Sequence, residues 1–233
     1  MFLWNSRLLK KHFLMITSQK LISIFLVVGL LYLILLLTGN DTVTWYLKPL
    51  LLPFLFYAVV KSNPFETKKW LLAALLFSWI GDFILLFADY FIFGLVAFLI
   101  AHILFIRLFF RQKSENKHSK NPLFWIGFIG IIIYLVSILV FLFPTLGDLK
   151  FPVGIYAMTI SIMLVIALKG AFNWGNNSKY IVLLGAFFFV TSDSILAIDK
   201  FHSPIPTATF CIMLTYLVAQ FSIAYGILKL NQK

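Results

Sequence analysis

Cysteine and acidic residues are scarce in this sequence of 233 residues. Its single cysteine, Cys211, excludes a disulfide within the chain. Cys211 lies in an apolar run without the clustered ligands of a metal site, so we expect no metal and no other cofactor. Charged residues make up only 12% of the chain. That is too few to cover the surface of a soluble domain of this size.

Apolar residues are correspondingly abundant. They make up 62% of the sequence, and the mean hydropathy is +1.00, whereas soluble globular chains are roughly 45–50% apolar. The sequence therefore predicts an all-α integral membrane protein surrounded by membrane lipids. The net charge of +11 does not indicate nucleic acid as a partner, because the basic residues lie in short loops between apolar runs.

Eight apolar runs approach the ~20 residues that a helix needs to cross the hydrocarbon of a bilayer. They are Leu21–Leu37, Leu47–Val60, Lys69–Phe87, Phe91–Phe110, Pro122–Phe143, Phe151–Leu168, Tyr180–Ile198 and Pro206–Leu228. We expect one transmembrane domain over residues 21–228, preceded by a basic cytoplasmic segment, 1–20, and followed by a cytoplasmic tail, 229–233. No cleavage pattern follows the first run, which predicts a retained helix. In the short second run we expect Pro49 in the first turn, where its missing N–H does no harm.

The basic residues indicate the orientation. If the N-terminus is cytoplasmic, only Lys48, Lys150 and Lys200 of the 19 basic residues fall on the outer side. This asymmetry predicts that both termini are cytoplasmic. Because no organelle signal is evident, we expect a bacterial cytoplasmic membrane.

Two of the eight acidic residues lie inside predicted spans, Asp82 in the third and Asp193 in the seventh. A charged side chain in hydrocarbon costs at least ~2.5–3.5 kcal/mol, so such residues usually have a function. Both spans run outward, and each aspartate is followed three residues later by leucine. This indicates a parallel repeat of four plus four helices, with halves 21–110 and 122–228.

Other polar residues lie near these aspartates in the helical pattern. Ser78 is four residues before Asp82, so its hydroxyl can bond the carboxylate. Ser192 directly precedes Asp193, in an unusually polar stretch for the centre of a helix. His102 lies deep in the fourth span, where it fits a packing histidine and a proton carrier equally well.

The sequence leaves open the roles of three further polar residues. Tyr216 and Gln220 share one face of the eighth span, and such residues more often join helices than perform chemistry. Lys48, near the outer end of the second span, suits a pairing with one of the aspartates, contact with an anionic headgroup or an ordinary interfacial position.

Five stretches of the sequence resemble the YhhN family of lysoplasmalogenases. They are LKP at Leu47–Pro49, SWIGDFILL at Ser78–Leu86, GLVAFLIAHILFI at Gly94–Ile106, PVGIYAMTISIMLVIAL at Pro152–Leu168 and GAFFFVTSDSILA at Gly185–Ala197. The resemblance extends from Lys48 to Gln220 and implies an eight-helix membrane protein. It places the family's polar positions on Lys48, Asp82, His102, Tyr156, Ser192 and Asp193.

The resemblance also implies a reaction. Lysoplasmalogenases hydrolyse the vinyl ether bond of lysoplasmalogen, a lysophospholipid, to a fatty aldehyde and glycerophosphoethanolamine or glycerophosphocholine. Asp82 and Asp193, with His102, are then the catalytic candidates, and Lys48, Ser78, Tyr156, Ser192, Tyr216 and Gln220 the substrate-binding ones. Two carboxylates suit this chemistry, because one can donate a proton while the other stabilises the cation.

Two other functions fit the same residues. Buried acids and a repeat are also typical of a small proton-coupled transporter of lipids or metabolites. In a membrane scaffold, the polar side chains would only hold the helices together.

Overall fold

The computed structural model describes residues 2–115 and 121–232, with side chains from Ile16 onward. These residues form eight α-helices and three short 3-10 helices. The helices are α1 (Phe2–Leu37), α2 (Asp41–Lys61), α3 (Lys68–Ile84), α4 (Phe91–Phe110), α5 (Pro122–Leu142), α6 (Lys150–Asn173), α7 (Ser178–Phe201) and α8 (Ala208–Leu230). The predicted all-α class and the number of helices are confirmed for this part of the chain.

Seven of these helices are long and apolar enough to cross a membrane. The exception is α3, whose 17 residues lie at the lower end of the ~17–25 that span a bilayer. Large apolar side chains are exposed along the helices, among them Val27, Ile126 and Phe151, while Asp82 and His102 are buried. Apolar side chains outside and ionisable ones inside suit a multi-pass membrane protein.

The second helix differs from its prediction. It is 21 residues long, and Pro49 and Pro53 both lie inside it, so the prediction of Pro49 in the first turn was wrong. Pro53 has no N–H, which leaves the carbonyl of Pro49, four residues earlier, without its helical donor. Trp79 of α3 replaces that donor, because its Nε1–H donates to the Pro49 oxygen at 2.8 Å. A neighbouring helix thus satisfies the backbone group that proline leaves open.

The described chain divides into two compact units. The first contains the chain up to Ala101 and the residues after Leu230, and the second runs from His102 to Leu230. In the first unit α2 packs against both α1 and α3. Small residues bring α3 close to α4, since a Cβ at Gly81 would lie 2.7 Å from the Phe98 ring.

In the second unit α7 packs against α8. A Cβ at Gly185 of α7 would lie 2.8 Å from the backbone nitrogen of Ile223 and 3.0 Å from the carbonyl oxygen of Ala219. A Cβ at Gly226 of α8 would lie 2.6 Å from the Val182 side chain of α7 and 3.1 Å from the Val182 backbone nitrogen. Only glycine fits between backbones at such separations. This close packing fixes α7, the helix that carries Asp193.

Candidate active site

Asp193 lies at the centre of a polar cluster in the second unit. The Tyr156 hydroxyl of α6 donates a hydrogen bond to Asp193 Oδ2 at 2.7 Å. The Nε2 atom of His102, from α4, lies 3.4 Å from the same oxygen. Three helices therefore bring these side chains together, and we call His102, Tyr156 and Asp193 the Asp193 cluster.

The cluster is shielded from water. His102 is fully buried, and the exposed fraction of Asp193 is 9%. The His102 ring meets Phe189 edge to face at 4.6 Å between centroids. Phe189 in turn packs against Phe105 and against Tyr216. In such a low-dielectric site, hydrogen bonds and charges interact more strongly than in water.

This geometry permits proton transfer and stabilisation of a cation. A carboxylate and an imidazole at ion-pair distance can share one proton, and a phenol that donates to the same oxygen supports the negative charge. An oxygen with that charge stabilises a positive centre that develops beside it. The arrangement is therefore suited to acid–base chemistry.

Other hydroxyls of α7 make contacts between helices. Ser192 is buried, and its Oγ donates to the carbonyl oxygen of Ile212 in α8 at 3.0 Å. Ser194 shares a short hydrogen bond with the Tyr134 hydroxyl of α5. Tyr134 was not among the predicted site residues. The signal that could have indicated it is its polar hydroxyl, because Tyr134 is the one tyrosine of the otherwise largely apolar α5.

The eighth helix contributes two of the predicted binding residues. Tyr216 and Gln220 are both buried, as their shared helical face predicts. Neither atom of the Gln220 amide has a hydrogen-bond partner among the described residues. Whether either side chain binds substrate stays a prediction.

Asp82 belongs to the first unit. It lies in the last turn of α3, two residues before the helix ends at Ile84, and its exposed fraction is 4%. Tyr32 of α1, which the sequence did not indicate, lies within electrostatic range of the carboxylate. Lys48 is half-buried in α2. The predicted approach of Asp82 to Asp193 stays a prediction.

The predicted hydrogen bond between Ser78 and Asp82 is absent. Ser78 is fully buried, but its Oγ has no hydrogen-bond partner in the described part of the chain. Both residues are buried, yet the Cα–Cβ bond of a helical residue tilts toward the N-terminus of the helix. The short Ser78 side chain therefore leans away from the residue four positions later.

Comparison with known proteins gives these residues a family context. The YhhN family profile matches residues 43–227. Lysoplasmalogenase TMEM86A of Bos taurus is 32% identical over 174 residues, which cover 70% of this chain and 66% of that protein. A lysoplasmalogenase of Mycobacterium bovis is 28% identical over 197 residues, 82% of this chain and 72% of that protein.

The human lysoplasmalogenase TMEM86B is 31% identical over 163 residues, 67% of this chain and 62% of that protein. The matches thus span somewhat less than two thirds of the length of both TMEM86 relatives. No solved structure matches the chain. Because the family profile matches most of the sequence, the chain belongs to the YhhN family.

Proposed function

We propose that this protein is a lysoplasmalogenase-like hydrolase, which cleaves the vinyl ether bond of a lysophospholipid inside the membrane. The observation that carries the proposal is the Asp193 cluster, a buried carboxylate beside an imidazole and a phenol. Such a group, enclosed by aromatic rings, provides the acid–base chemistry that this bond requires. The names of the relatives support the same reaction.

The reaction begins with a proton. Transfer of a proton from one aspartic acid to the β-carbon of the vinyl ether gives an oxocarbenium ion. The ionised partner stabilises this cation and accepts a proton from the attacking water, as paired carboxylates do in glycoside hydrolysis. The resulting hemiacetal breaks its C–O bond to the glycerol while its hydroxyl proton passes to the departing glycerol oxygen, which yields a fatty aldehyde and a glycerophosphodiester. Asp82 and Asp193 are the proposed pair.

The proposed substrate is lysoplasmalogen with an ethanolamine or choline headgroup. The single hydrocarbon chain of this lipid suits a site formed by apolar helices. We assign contact with the polar glycerol and phosphate to Lys48, Ser78, Tyr156, Ser192, Tyr216 and Gln220. No step of this reaction requires a metal or another cofactor.

We also propose that both termini are cytoplasmic, that the helices form a four-plus-four repeat, and that the membrane is the bacterial cytoplasmic membrane. The distribution of basic residues supports the orientation. Reporter fusions that are active only outside the cytoplasm should be silent at either terminus. A strong outer signal from a C-terminal fusion would contradict this topology.

The experiment for the reaction measures aldehyde release from lysoplasmalogen by purified protein in detergent. The matched control is the saturated alkyl-ether analogue, which lacks the double bond that accepts the proton. We expect aldehyde only from the vinyl ether. No release in detergent, combined with gradient-driven uptake into vesicles, would favour a transporter instead.

A further inference from the structure

We propose that Asp193 is the ionised member of the catalytic pair and that Tyr156 is a positioning residue that holds it in that state. This inference rests on the proposed function, because it assigns roles within the same reaction. Asp82 then carries the proton that reaches the vinyl ether. Sequence alone leaves the two aspartates equivalent.

The first argument is the direction of the hydrogen bonds. An ionised carboxylate only accepts hydrogen bonds, whereas a protonated one must also donate. The Tyr156 hydroxyl donates to Oδ2 at 2.7 Å, and such a bond is stronger when the acceptor is ionised. His102 Nε2 lies 3.4 Å from the same oxygen. Two potential donors therefore converge on one atom.

The second argument concerns the proton between His102 and Asp193. A neutral pair and an imidazolium–carboxylate pair differ only in the position of that proton. A hydrogen bond to the charged form of an acid favours the charged form. Tyr156 supplies such a bond, which favours the position of the proton on the imidazole side.

The ionisable groups around Asp193 come from three other helices. His102 lies on α4 and Tyr156 on α6. Tyr134 on α5 is within electrostatic range, but its hydroxyl bonds to Ser194. Tyr156 is thus the tyrosine whose hydroxyl donates to the carboxylate. Because the hydroxyl proton of Tyr156 is directed at Oδ2, Tyr156 orients Asp193 in addition to the contact with substrate assigned to it above.

Infrared spectroscopy tests the charge state without requiring activity. A protonated carboxyl group has a C=O stretch well separated from that of a carboxylate. At neutral pH we expect this band in the wild type and in Asp193→Asn, and its loss in Asp82→Asn. A wild type without the band, or a band lost in Asp193→Asn, would overturn the assignment. If the wild type hydrolyses no ether lipid, the proposed function fails, but the spectra still decide the charge state of Asp193.

The pH profile tests the role of Tyr156. Without its donor, Asp193 takes up a proton more readily, so in Tyr156→Phe activity should be lost at a higher pH as the solution is acidified. We call this loss of activity at low pH the acidic limb of the pH profile. We expect its midpoint to move to a pH about one unit higher, which corresponds to a tenfold change in proton affinity. In the matched variant Tyr134→Phe, which loses a hydroxyl that bonds elsewhere, the limb should stay in place. An unmoved limb in Tyr156→Phe, or an equal shift in both variants, would overturn the role of Tyr156.

Discussion

The two buried aspartates share a sequence pattern but have different structural settings. Asp193 lies eight residues before the end of the 24-residue α7, and side chains from α4 and α6 reach its carboxylate. Asp82 lies in the last turn of α3, next to Gly81, where α3 approaches Phe98 of α4. The first is held within a network, and the second lies at a helix end close to a connecting turn. Such different settings suit two carboxylates with different tasks.

The largest effect is expected from neutralising either aspartate. Asp82→Asn and Asp193→Asn keep the size of the side chain but remove its charge and its acidic proton. Loss of one member of an acid–base pair commonly lowers the rate ~10²–10⁴-fold. We expect a loss of this size in each variant, measured as aldehyde release per mole of folded protein.

Asp148→Asn is the matched control, because Asp148 is an exposed loop residue. It should retain the wild-type rate. If Asp82→Asn retained it as well, the catalytic comparison between the two settings would fail, and Asp193 would act without that partner. If both buried variants lost only their folded yield, the aspartates would be structural.

A smaller effect, on stability, is expected where α7 meets α8. Gly185→Ala places a methyl group 2.8 Å from the Ile223 backbone nitrogen, so the two helices must separate. Overpacking of this kind typically costs about 1–3 kcal/mol. We expect a lower melting temperature in detergent, accompanied by reduced turnover, because α7 carries Asp193.

Gly130→Ala serves as the control for that substitution. Gly130 lies in α5, and a Cβ there meets no atom within 4 Å. Its melting temperature should be unchanged or slightly higher, since alanine favours a helix more than glycine does. An equal fall in both variants would mean that the close contact of α7 with α8 does not determine stability.

The smallest effect is expected in the first unit, at the proline pair of α2. Trp79→Phe removes the donor to the Pro49 carbonyl but keeps an aromatic ring. Loss of such a hydrogen bond costs about 0.5–1.5 kcal/mol. We expect a modest decrease in melting temperature that Pro53→Ala partly reverses, because alanine restores the helical N–H. If Pro53→Ala did not reverse the decrease, Trp79 would stabilise the protein through a contact other than this hydrogen bond.

The sequence predicted helices well where apolar runs have clear ends. The fourth helix was predicted at Phe91–Phe110 and has these bounds. The first helix was predicted from Leu21 but begins at Phe2, because hydropathy measures the apolar part of a helix and not its polar extension. Pro49 was misplaced because its accommodation depends on Trp79 of another helix.

The candidate site was predictable only in part, because contacts between helices cannot be derived from the pattern of a single helix. Carboxylates and a histidine in apolar helices are conspicuous, so Asp82, Asp193 and His102 could be selected from the sequence. Their partners depend on how the helices pack. No spacing relates His102 to Asp193 91 positions later, since α5, α6 and half of α7 lie between them. Tyr134 and Tyr32 carry no charge to attract notice, and tyrosines in membrane helices usually serve packing.

The measurement that tests the central claim most directly compares kcat/KM for lysoplasmalogen hydrolysis in heavy water and in ordinary water, each at the plateau of its pH profile. If transfer of a proton from an aspartic acid to the β-carbon limits the reaction, kcat/KM is clearly lower in heavy water, because a deuteron is transferred to carbon more slowly than a proton. An equal kcat/KM in the two solvents would contradict the acid–base mechanism assigned to the two aspartates.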